Sequence, residues 1–225
     1  MKASTPRGRP HDARATQEAI LNAAEVVFAE NGFDGARIDA IAAAAGYNKS
    51  LIFHYFDDKL GLYSAMLQRD QRQAIEMQVR IFDSLLAEDT ISAGAFRDFL
   101  ERVVRATFDY DVAHPRLLRI FAWEEAEGWT TMAKVPSGYD QKCLERFVDV
   151  FDRVRRAGVL RPGVSLLQVM YVVVNTCRAF ITSLPLFQKL AGPGNELARP
   201  EALTLGREQI VALVVHGLMP DFPAG

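Results

Sequence analysis

Between Arg37 and Phe56 the chain has room for two helices of about two turns each, with Gly46 between them. Arg37 to Ala44 is rich in alanine and sets Ile38 and Ile41 on one side. Gly46 then permits a sharp turn, because it has no Cβ to clash. The second segment, KSLIFHYF, follows Asn48, whose side chain can accept from the free N–H groups at a helix start. Helices this short are marginal in water unless neighbours support them. The flanking sequence supplies those neighbours. From Ala15 the apolar residues Ala19, Ile20, Ala23, Ala24, Val27 and Phe28 recur with helical period, and Asn31-Gly32 ends the run. Asp57-Asp58 opens a long amphipathic stretch to about Leu86, with Asp58 as its N-cap and its charge suited to the positive helix end. A braced pair of short helices is a helix-turn-helix. Its second helix can present its first turn to a DNA major groove, which an α-helix fits.

Helical period continues to the end of the chain. Segments 91–112, 115–127, 138–156, 165–183 and 201–218 read as helices, and 185–200, with three prolines and two glycines, reads as a loop. No alternating strand pattern recurs and no internal repeat is visible. The expected fold is all-α, with about nine helices. Residues 1–14 hold Lys2, Arg7, Arg9 and Arg14 against Asp12, and Pro6, Gly8 and Pro10 disfavour regular structure. Three parts follow: a flexible basic arm over 1–14, a helix-turn-helix domain over 15–57, and a helical body over 58–225.

Charge and composition remove other classes. With 26 Lys and Arg against 28 Asp and Glu, the net charge of −2 belongs to no polycation. Cys143 and Cys177 cannot form a disulfide framework and read as packing thiols. The first residues carry no apolar leader, and the longest uncharged run, 162–177, is short of the ~18–20 residues of a membrane span. A soluble cytoplasmic protein without a membrane role is expected. His11 lies in the arm, His114 precedes Pro115, and His216 falls in the last helix. No His/Cys/Asp/Glu spacing suggests a metal, and no nucleophile elbow, P-loop or dinucleotide motif suggests an enzyme or a cofactor.

The segment IDAIAAAAGYNKSLIFHYFDDKLGLYSAM resembles the DNA-binding region of the TetR family of transcriptional regulators, through Ile41, Ala42, Ala45, Gly46, Tyr55, Phe56, Lys59 and Leu62. ILNAAEVVFAENGF resembles that family's first helix. The resemblance implies DNA contacts from Lys49, Ser50, Leu51, Phe53, His54 and Tyr55, and a phosphate contact from Lys59. Independently, Asn48, Lys49 and Ser50 occupy the helix start that meets the groove first; lysine suits guanine acceptors and serine any base or a phosphate. Arg37 stands where the family has threonine and can reach a phosphate instead. Leu51 departs from a small or hydroxylated residue, Ser50 from glycine, and Gly61 from an acidic residue. Arg7-Gly8-Arg9-Pro10 resembles a minor-groove AT-hook core, so Arg7 and Arg9 are DNA candidates too. Residues 1–60 hold seven basic and eight acidic side chains, so any positive face must come from clustering.

For the remainder the resemblance implies a helical body that binds a small-molecule effector and dimerises. Phe82, Phe108, Trp123, Phe147 and Phe151 are candidate pocket residues, with core packing as the alternative for each. Gln168, Tyr171, Asn175, Arg178 and Thr182 form a polar stripe on an otherwise apolar helix. Such groups need partners, so Tyr171, Asn175 and Arg178 are divided between pocket and dimer interface. Leu203, Ile210, Leu213, Val214 and Leu218 equip the last helix to pair with the penultimate one in a two-fold four-helix interface. A homodimer would read a palindromic operator in double-stranded DNA, with recognition helices roughly 34–36 Å apart. The expectation is a repressor released by a small molecule, against a ligand-independent regulator or activator, and more remotely a helical enzyme.

Overall fold

The computed structural model describes residues 10–192 and 194–220. Among these, nine α-helices account for the regular structure, with two short 3₁₀ turns: α1 Pro10–Gly35, α2 Ile38–Ala45, α3 Lys49–Phe56, α4 Lys59–Leu86, α5 Ala93–Ala113, α6 Pro115–Ala126, α7 Gln141–Arg156, α8 Leu166–Ala191 and α9 Ala202–Leu218. The all-α expectation holds. The first helix starts at Pro10, earlier than expected. Proline is tolerated at a first helical position, where its missing N–H would have had no partner. Arg7 and Arg9 lie outside the described residues.

The chain divides into two units. The first comprises residues up to Gln71 together with Arg116–Pro136; the second comprises Arg72–Pro115 and Ser137 onward. The boundary read from sequence at residue 57 therefore falls inside the first unit, and α4 contributes residues to both.

In the first unit, Ile20, Phe28, Ile41, Ile52, Leu62, Tyr63, Met66 and Leu67 are fully buried or nearly so. Gly32 breaks α1 with φ 68°. A Cβ there would sit 3.1 Å from the Trp123 ring of α6, and the indole N–H donates to the Ala29 carbonyl at 3.3 Å. Glu124, also on α6 and 1% exposed, accepts from the Tyr63 hydroxyl at 2.7 Å and the Met132 amide at 2.9 Å. The carboxylate is thus buried with donors in place, which offsets its desolvation.

In the second unit, α5 packs against α8 and α9, and α8 against α7 and α9. Phe82, Phe96, Phe99, Phe147 and Phe151 centre the core. Arg207 pairs with Asp109 at 2.7 Å and Arg105 with Glu208, tying α5 to α9. Arg153 donates to the Leu86 and Glu88 carbonyls, covering the free end of α4. Gly206 lets α9 approach α8: a Cβ there would lie 2.0 Å from the Phe180 ring.

The expected loop beginning at Pro185 is helix as far as Ala191. Pro185 has no N–H to give the preceding turn, and the Thr182 and Ser183 hydroxyls turn back to the Arg178 and Ala179 carbonyls around it. Gln188 then donates to the Leu197 carbonyl at 2.8 Å, anchoring the extension. The lengthened helix carries Arg178 and Lys189 among its apolar residues and packs on α5, α7 and α9. By length and composition alone, Gln168–Ala191 of α8, with an 18-residue window of mean hydropathy 1.4, is long and apolar enough to cross a membrane.

Candidate nucleic-acid interface

α2 ends where Gly46 adopts a left-handed conformation, φ 76°, and its N–H bonds back to the Ala42 and Ala43 carbonyls. Tyr47 continues the closure with an N–H to the Ala42 carbonyl at 3.0 Å. Asn48 then caps α3, its side-chain oxygen accepting from the Leu51 amide at 2.8 Å. At the other end Asp57 is held at φ 62°, and Asp58 accepts from the Gly61 amide at 2.7 Å to start α4. A Cβ on Gly61 would meet the Phe56 carbonyl oxygen at 2.1 Å. The glycine that departs from the family pattern is therefore what lets α4 start this close to the end of α3.

These turns fix which side chains face outward. Ile52 and Phe56 are buried in the first unit's core, while Asn48, Lys49, Ser50, Phe53 and His54 are exposed and Leu51 and Tyr55 half-buried. The exposed set runs along one side of α3 from its first turn. Phe53, 38% exposed, is a large apolar side chain on that side. Arg37, the N-cap of α2, makes no side-chain cap and is exposed. Lys49 pairs with Asp39 of α2 at 3.2 Å, with both side chains about half exposed, so the pair is weak. Lys59 donates to the Asp34 carbonyl at 3.2 Å and lies 4.7 Å from the Phe33 ring centre. It fastens the start of α4 to the end of α1. Partial burial lowers its pKa, against the pull of Asp34. Sequence reasoning missed Asp39 and Tyr47. Asp39 lies ten residues from Lys49, a spacing without a helical rule; Tyr47 is an exposed aromatic in the turn, accepting from Thr16 at 3.4 Å.

The effector candidates are dispersed. Phe82 and Phe151 line a narrow cleft in the second unit formed by α4, α5, α7 and α8, with a cavity of about 30 Å³. Phe147 packs against Phe82 at a tilt, with ring centroids 4.3 Å apart, and Phe108 is buried against Phe180. Trp123 belongs to the first unit and is not brought to this cleft. Tyr171, 70% exposed, and Asn175 line an open groove on α8 with Phe187, and the Asn175 amide bonds to its own helix at the Tyr171 carbonyl. Arg178 lies near Asp111 of α5, whose carboxyl is raised to about 6 by burial against the opposing pull of Arg178 and His114. Cys143 and Cys177 are buried free thiols; burial raises both and pushes Cys177 up to about 12, so neither is a reactive thiolate. Among the described residues no group of three His, Cys, Asp or Glu side chains could hold a metal ion.

Residues 20–66 match the family described as bacterial regulatory proteins of the tetR family, and residues 97–214 match the tetracyclin repressor-like C-terminal domain. The chain is 29% identical over 163 residues to the HTH-type transcriptional repressor SCO4008 of Streptomyces coelicolor, covering 72% of this chain and 77% of that one. It is 31% identical over 114 residues to the HTH-type transcriptional regulator RutR of Escherichia coli, covering 51% of this chain and 50% of RutR. A TetR family transcription regulator from Marinobacter aquaeolei VT8 shares the fold, with a TM-score of 0.67 at 16% identity over 95% of this chain and all of that one.

Proposed function

The chain belongs to the TetR family of bacterial transcriptional regulators, and on that premise we propose that it is a homodimeric repressor that binds a palindromic operator through α3 and is released by a small molecule. The observation that carries the DNA half is the capped, solvent-facing first turn of α3, where Asn48, Lys49 and Ser50 stand exposed on a helix anchored by Ile52 and Phe56. In this reading Lys49 and Ser50 touch base edges, Leu51 and Phe53 offer apolar contact to thymine methyls, and Arg37, His54, Tyr55 and Lys59 bind phosphates. Arg7 and Arg9 are candidates for the adjacent minor groove.

The dimer is supported by the outer sides of α8 and α9. Tyr171, Val172, Leu186, Phe187, Leu190 and Leu213 are exposed apolar side chains there, the kind of surface that marks a contact with another chain. A helix packed on its own core on one side and on a second subunit on the other has the composition that makes α8 membrane-like. The release half is supported by the cleft and by α4, which carries Phe82 at one end and the α3 junction at the other. An effector must bind the released state better than the DNA-bound state. Such a regulator acts in the cytoplasm, where the DNA is.

The test is selection of bound fragments from the organism's own genomic DNA, followed by footprinting and sedimentation. A short protected palindrome bound by a dimer is expected, and Leu213→Asp should yield monomers that lose it. Protection without two-fold symmetry, or a parent protein that sediments as a monomer, would overturn the dimeric reading; a Leu213→Asp protein that remains dimeric would overturn the assignment of the interface to α9.

A further inference from the structure

The cleft of the second unit is walled by Phe82, Phe99, Phe151 and Met170, and no ionisable side chain lines it. Two polar side chains do. The Gln78 side-chain oxygen accepts from the Tyr139 hydroxyl at 2.8 Å, which fixes the amide and leaves its NH₂ without a partner among the described residues. Thr107, 9% exposed, lines the same cleft, and its hydroxyl makes no hydrogen bond to any described residue. The residue is buried but its hydroxyl is still reachable from the cleft, and a helical threonine ordinarily turns back to its own helix. The pair therefore reads as a polar point prepared for something else in an apolar space. The cavity is about 30 Å³, room for one water molecule, so a larger occupant must part the walls. Met170, unbranched and half-buried beside the opening, is suited to that movement.

Taking the effector reading above as its basis, we propose that this cleft admits an uncharged, largely apolar molecule bearing an oxygen function, which accepts from the Gln78 amide and pairs with the Thr107 hydroxyl. A carboxylate or an ammonium would lose its water there and meet no counter-charge. A plain hydrocarbon would offer neither polar group a partner.

The experiment is calorimetric titration of the full-length protein, free of DNA, with 2-naphthol and with 2-naphthoate at pH 7. These probes share a ring system and differ in charge. 2-Naphthol should bind at least tenfold more tightly. Thr107→Val preserves shape and removes the hydroxyl, and should weaken 2-naphthol about three- to tenfold; Gln78→Leu, at a half-buried site, should do the same. Circular dichroism of both variants should match the parent. Equal or tighter binding of 2-naphthoate, no binding of either probe, or 2-naphthol binding untouched in both variants would overturn the inference. Operator release is scored separately. A molecule that binds the cleft as described but leaves operator affinity unchanged sinks the release reading and upholds this one. Release by a molecule to which Thr107→Val and Gln78→Leu are indifferent sinks this one and spares the other.

Discussion

The first unit offers most of its candidate DNA surface on one short stretch, from Tyr47 to Tyr55, whereas the second assembles its cleft from side chains as far apart in sequence as Gln78 and Val174. The first surface is polar and set by caps and turns, so local sequence dictates it. The cleft is apolar and set by which helix packs on which, so local sequence only supplies the material. A recognition surface built from one short helix can be read from a motif; a cleft built from four helices cannot. The same contrast separates their weak points. Damage to a turn should disable the first unit alone, while damage to a helix contact should loosen the second.

The largest expected effect breaks the turn. Gly61→Ala places a methyl on the Phe56 carbonyl, and backbone cannot step aside cheaply, so the first unit should lose about 3 kcal/mol. Hydrogen exchange should show α2 and α3 losing protection before α5 and α9; uniform loss would contradict the separation of the two units.

Next comes the buried acid. Asp111 holds its proton up to about pH 6, while the unfolded chain releases it near the ordinary value of 3.8. The native state thus binds more protons through that window. Stability from this group is present at low pH, falls as pH rises, and is gone above pH 6. Asp111→Asn should escape that loss and unfold on the order of 2 kcal/mol harder at pH 7 than the parent, with the gap closing toward pH 4. Urea melts at pH 4 and 7 measure it; a gap that does not change with pH would show that Arg178 and His114 hold the carboxylate charged.

Gly206→Ala should cost about 1–2 kcal/mol, less than Gly61→Ala, because the half-buried Phe180 ring it meets can swing. Thermal unfolding checks the order of the two glycines, and a reversed order would mean that the α8–α9 contact is the more rigid.

The smallest effect sharpens the first surface. Asp39→Asn frees Lys49 from its ion pair and removes an anion from the α2–α3 face, so DNA should bind about threefold more tightly. Fluorescence anisotropy would show it, and unchanged affinity would mean that Lys49 is not at the interface.

Much of the first unit was legible. The boundaries of α2 and α3, the Asn48 and Asp58 caps and the break at Gly32 all follow from residues whose backbone chemistry acts within a turn. The placement of α6 was not, because helical period says that a face is buried but not on what; Trp123 therefore read as a body residue. Pro185 read as a helix end because the proline rule is local, whereas Gln188 and Leu197 hold the helix together beyond it. Gln78 and Thr107 were invisible for the opposite reason: a polar residue on an amphipathic helix reads as solvent-facing until its neighbours are placed. Lys59 fits the motif, yet its hold on the Asp34 carbonyl appears only once α1 and α4 are side by side.

The central claim is that α3 reads DNA, and the most direct measurement is operator affinity across a salt series for the parent, Lys49→Ala and Ser50→Ala. Affinity of the parent should fall steeply with salt as counterions return to the DNA. Lys49→Ala should lose about 1–3 kcal/mol of operator affinity and much of the preference over unrelated DNA, with Ser50→Ala affected less. Parent-like affinity and preference in both variants would place recognition elsewhere on the molecule and contradict the account.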